Sequence, residues 1–97
     1  MITIKQAETT IAKLNVDFDT HDFIIQFTKD FEREYVEMLY KHIVNQHIFM
    51  TTHAEIGKFL ADNAKGLSIQ KEIKEFSENI KDYPSENQKW QKVVCAI

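Results

Sequence analysis

From His21 to Asn45 the chain runs for 25 residues without a glycine or a proline. This stretch limits the fold more than any other. Asp19 or Thr20 can cap a helix at its start, with Asp22 in the first turn where the dipole favours a carboxylate. A straight helix of that length spans roughly 38 Å at about 1.5 Å per residue. A compact domain of this size has a radius of gyration of only about 13 Å. The helix must therefore bend, be flanked along its length by other elements, or have its ends covered by something else.

Its apolar residues fill more than one stripe. Ile24, Phe27, Phe31, Tyr35, Met38 and Leu39 fall on one face, and Ile25, Val36, Tyr40 and Ile43 lie beside it. Together they cover an arc of roughly 200°, where a surface helix shows about 100°. Two readings follow. The helix is a central spine packed on two sides by its own chain, or part of the arc is a surface for a protein partner, most simply a second copy. The candidate interface residues are Phe27, Phe31, Tyr35, Met38, Leu39 and their neighbours.

The rest of the chain also reads as helical. Thr3 can cap a first helix carrying Ile4, Ala7, Ile11 and Leu14 on one face. Thr52 and Glu55 have the spacing of a capping box before Ile56, Phe59, Leu60 and Ala64. Gly66 is placed to adopt the left-handed conformation that ends a helix. Ser68 can cap a further helix with Ile69, Ile73, Phe76, Ile80 and Tyr83 at spacings of four and three, stopped by Pro84. Ser85 and Gln88 form a second capping-box pattern ahead of Trp90, Val93 and Val94. Two glycines and one proline offer little material for hairpins. The expectation is one all-α domain over residues 1–97, a compact bundle of about five helices near 4–15, 21–45, 53–65, 69–82 and 86–94.

Charge and cysteine usage narrow the function classes. The net charge is −3, from 15 acidic and 12 basic residues, and neither half of the chain is net positive. That lacks the positive footprint from which most nucleic-acid affinity comes. Cys95 is the single cysteine, so no intrachain disulfide forms, which fits a reducing, cytoplasmic setting. No apolar run approaches the length of a signal peptide or a membrane span.

The glycine turn between two helices at 53–82 raises a helix-turn-helix reading. Its nucleic-acid contacts would be Gln70, Lys71, Lys74 and Lys81, joined by Lys89, Trp90 and Lys92 near the C-terminus. Glu72, Glu75, Glu78 and Asp82 alternate with these lysines and would repel phosphate. Lys71 with Glu75 and Lys74 with Glu78 read instead as ordinary surface pairs. Trp90 is better explained as closing the core.

Catalytic and metal-site patterns are weak. Among His21, His42, His47 and His53 there is no helical pair with metal-ligand spacing. His42 reads as a hydrogen-bonded core residue, and His47 and His53 as solvated. Ser68 and Lys71 match a Ser-x-x-Lys motif without its partner motifs. No cofactor, metal or small-molecule ligand is expected. The functional expectation is a small non-enzymatic protein-interaction domain of regulatory or adaptor type, homodimeric through the long central helix. The alternative is a small nucleic-acid-binding regulator.

Overall fold

The computed structural model describes residues 2–78 and 84–93, and over 72–78 and 84–87 the description concerns the backbone. The first helix, α1 (Ile4–Ala12), starts as its sequence dictates. Thr3 Oγ1 accepts the Gln6 N–H at 3.1 Å, and the Gln6 side chain accepts the Thr3 N–H at 3.1 Å. A three-residue strand, β1 (Asp17–Asp19), leads directly into α2 (Thr20–Asp30). A second reciprocal cap forms there, between Asp19 and Asp22, at 2.7 and 3.1 Å. The cap expected at residue 19 is thus found, and Asp22 has the dipole position foreseen for it.

The long central helix is not one helix. It breaks at Phe31, whose φ of −133° and ψ of 53° lie outside the helical region, and resumes as α3 (Glu32–Lys41). Two features favour a break there. Glu32 and Glu34 fall in the first turn of the new helix, where its dipole favours carboxylates. The Phe31 ring meets Phe27 at 5.4 Å, and the residue packs against the core. The broken helix keeps the radius of gyration at 13.2 Å, within principal extents of 48 × 27 × 21 Å. After Lys41, turns run through residues 42–47, where the Asn45 side chain accepts the His47 N–H at 2.9 Å.

The next helix, α4 (Ile48–Asp62), starts five residues before the expected 53. Thr52 therefore lies inside it and makes no capping box. Its hydroxyl is buried without a hydrogen-bond partner among the described residues. The left-handed turn after α4 also differs from expectation. Gly66 has no positive φ, and Ser68, expected to cap a helix, takes φ 57° instead.

The last two expected helices are strands: β2 (Ile69–Glu78) and β3 (Pro84–Lys92). The all-α expectation is overturned. The fold is mixed, and among the described residues it has four helices and a three-stranded antiparallel sheet in the order β1-β3-β2. The helix-like spacing of β2 has a structural origin. Ile69 and Lys71 pair with Lys92 and Trp90, but Lys74 and Phe76 pair with Gln88 and Glu86, so β2 carries one extra residue between Lys71 and Lys74. In a regular strand, residues seven apart fall on opposite faces. The bulge brings Ile69 and Phe76 to one face, which is what a helix would also do. Pro84 does not stop a helix but stands at the first position of β3, where a missing N–H is tolerated.

The helices pack on the sheet through Trp90, which is 1% exposed and lies opposite the buried Phe18 of β1. Its indole N–H donates to Thr20 Oγ1 at 3.0 Å, tying the middle of the sheet to the start of α2. Phe23, Ile24 and Phe27 of α2, Tyr35 and Met38 of α3, and Ile56 and Leu60 of α4 complete the centre of the core. Burying a side chain of this size contributes about 1.5–3 kcal/mol. That makes this cluster the main source of stability.

Candidate functional site

The two apolar stripes read from the sequence part company in the structure. Phe27, Tyr35 and Met38 are buried in the chain's own core, and Phe31 and Leu39 are half-buried against it. Those five were the candidate interface residues, and they form intramolecular packing. The second stripe stays outside. Ile25 is 48% exposed, Val36 52%, Tyr40 73% and Ile43 56%, and Val44, next to Ile43, is 96% exposed. Val36 and Tyr40 are one helical turn apart on α3. Turn hydrogen bonds, His42 N–H to Leu39 O at 3.1 Å and Ile43 N–H to Tyr40 O at 3.0 Å, carry the stripe on to Ile43 and Val44. Met50, in the first turn of α4, is 69% exposed. The result is an apolar ridge running along α3 and into the turn that follows.

Polar contacts on the inner side hold the ridge in place against α4. Lys41 Nζ donates to Glu55 Oε2 at 2.8 Å, and His42 Nε2 lies 3.5 Å from the same oxygen. Burial pushes the Glu55 carboxyl up, but the Lys41 ammonium and His42 outweigh it and hold the group below the usual carboxylate value. Tyr35 Oη and His53 Nε2 are 2.7 Å apart. Burial pushes the Tyr35 phenol up to about 12. Burial, with the nearby His21, brings His53 down to about 4. At neutral pH the phenol therefore keeps its proton and the imidazole is neutral, so the two share a hydrogen bond between uncharged groups. His53 was expected to be solvated, because residues 52–55 were read as a helix start. Inside α4 it faces Tyr35 instead, and Phe49 packs on its ring at 5.9 Å.

The residues expected at a nucleic-acid surface are spread over the strands β2 and β3. The helix-turn-helix is absent, because the supposed recognition helix is β2. Gln70 and Lys71 are exposed on that strand, and Gln70 donates to Gln91 at 2.8 Å. Lys74 lies on the same strand past the bulge, and Lys81 lies outside the described residues. Trp90 is in the core and offers no face for base stacking. Lys92 Nζ donates to the Leu14 carbonyl at 2.7 Å, and Lys89 is half-buried on β3 opposite Asp19.

An open cleft of about 250 Å³ lies between the α1–β1 loop and α2, lined by Lys13, Asn15, Asp17, Asp22, Ile25 and Gln26 among others. Burial raises the Asp22 carboxyl above its usual value, although its oxygen is engaged in the helix cap. Among the described residues, no group of three or more His, Cys, Asp or Glu is arranged to hold a metal ion. None of the described helices is long and apolar enough to cross a membrane. No protein-family model, curated protein or solved structure matches the chain.

Proposed function

We propose that the chain is a small non-enzymatic protein-interaction domain of regulatory or adaptor type, and that its partner docks on the ridge formed by Val36, Tyr40, Ile43 and Val44. The observation that supports this is the exposure of four apolar side chains in one continuous stripe, on an element fixed from behind by the Lys41–Glu55 and Tyr35–His53 contacts. A single exposed apolar residue is ordinary, but a contiguous row marks a docking surface. Tyr40 is the natural anchor, since a tyrosine supplies a large contact at little conformational cost.

The reading is tested with the wild-type chain and the double variant Val36→Glu, Tyr40→Glu as parallel baits. Both positions are more than half exposed, so the variant keeps the wild-type circular dichroism and unfolding midpoint. The expected result is a partner retained by the wild type in high salt and absent from the variant, because apolar contacts survive salt whereas phosphate contacts fade. Identical capture by the two baits refutes the ridge.

A further inference from the structure

Among the described residues the sheet has one long edge. In the order β1-β3-β2, the edge strand β2 runs for ten residues, and among the described residues β3 is its only strand neighbour. On the opposite side β1 pairs with Lys89, Trp90 and Gln91 of β3, and the flanking Val16 carbonyl and Thr20 hydroxyl bond Lys92 and Gln88. Past the bulge, therefore, residues 74–78 and 84–88 form a ribbon of two strands with no third among the described residues. Two-stranded ribbons are marginal in water and gain from another strand. The open backbone N–H and C=O groups of an edge are a template for one.

The sequence of the edge says which strand would fit. The bulge between Lys71 and Lys74 interrupts the regular alternation, so a new ladder can run without interruption only along Lys74–Glu78. If a second copy adds antiparallel along this run and all five residues pair, the two-fold axis passes through Phe76. Lys74 then stands opposite Glu78 of the other copy, Glu75 opposite Ser77, and Phe76 opposite itself. Opposite charges at both ends and an aromatic pair at the centre are favourable cross-strand combinations, and like charges in those places are unfavourable. A two-fold interface needs such self-complementarity. We infer that the chain forms a homodimer by antiparallel pairing of β2 edges, centred on Phe76, which joins two sheets into one of six strands.

This inference stands apart from the ridge reading, and it puts the homodimer expected from the sequence at a different place. A dimer built on β2 leaves both ridges free and presents them twice, as an adaptor requires. The docking partner gains from that bivalence through effective concentration.

The test is a charge exchange read by size-exclusion chromatography with light scattering at low ionic strength and high micromolar concentration. The wild type is expected at twice 11.4 kDa. Lys74→Glu alone and Glu78→Lys alone each place like charges opposite each other twice, and each should weaken the dimer by about tenfold or more. Mixing the two single variants restores opposite charges at every position, so a heterodimer should form, and the double variant K74E/E78K should dimerise with itself. Rescue on mixing is not open to two misfolded chains. Tyr40→Glu should leave the dimer intact. A monomeric wild type, single variants that dimerise as the wild type does, or failure of the mixture to recover overturns the inference. A dimer lost in Tyr40→Glu and kept in the β2 variants also overturns it, because it puts the second copy on the ridge.

Discussion

Acidification should weaken this fold through His53, and the amount can be worked from its surroundings. The imidazole titrates at its ordinary 6.5 in the unfolded chain and at about 4 when folded, where burial and then His21 disfavour the cation. Above pH 6.5 both states carry a neutral ring and the group is silent. Between 6.5 and about 4 the unfolded chain takes up a proton that the folded chain refuses, so stability falls as the pH falls. A gap of about 2.5 pH, at about 1.36 kcal/mol for each, sets a ceiling of about 3 kcal/mol. The ring is only half-buried and water screens part of the penalty, so about 1–2 kcal/mol is expected at pH 5 relative to pH 7. Urea unfolding followed by circular dichroism at the two pH values measures it. His53→Gln supplies the control, since an amide can still accept the Tyr35 hydroxyl hydrogen but cannot titrate. The carboxyls of Asp22, raised by burial, and of Asp30 and Glu55, lowered by their hydrogen-bond partners, are present in both proteins and cancel in the difference. If wild type and His53→Gln lose the same stability between pH 7 and pH 5, the buried neutral His53 is refuted.

Other substitutions probe separate parts of the structure. Thr52→Val replaces a buried, unpartnered hydroxyl with a methyl group and should raise stability by about 1 kcal/mol, seen as a higher urea midpoint. Ser68→Gly relieves a left-handed backbone and should also stabilise by about 1 kcal/mol, whereas a helix cap at the same residue would predict a loss on that change. Asp19→Ala removes the reciprocal cap of α2 and should cost about 1 kcal/mol. Trp90→Ala empties the contact between sheet and helices and should cost about 3–5 kcal/mol, a large part of a typical stability of about 5–15 kcal/mol.

The features legible in the sequence are local ones. The caps at Thr3 and Asp19 join residues three apart, so side chain and backbone find each other whatever the rest of the chain does. The excess apolar arc on residues 21–45 was visible in the same way, because periodicity records what each turn carries. Thr52 shows the limit. Its spacing to Glu55 satisfied the capping-box pattern, yet α4 had already begun at Ile48, and a pattern of four residues carries no information about the turn before it.

Tertiary structure decided the rest. Residues 69–92 could be read as helix or strand, because the bulge in β2 gives a strand the spacing of a helix. What settles them as strands is pairing that reaches from Ile69 to Lys92, and from Phe18 to Trp90 across most of the chain. No window of local sequence contains those partners. The same holds for the ridge. The sequence determined that the helix at 21–45 had more apolar surface than one face could bury. The break at Phe31 and the packing of α4 decided that Tyr35 and Met38 go inward and Val36 and Tyr40 remain outside. Burial is a property of what lies opposite a residue, and the chain specifies that only once it has folded.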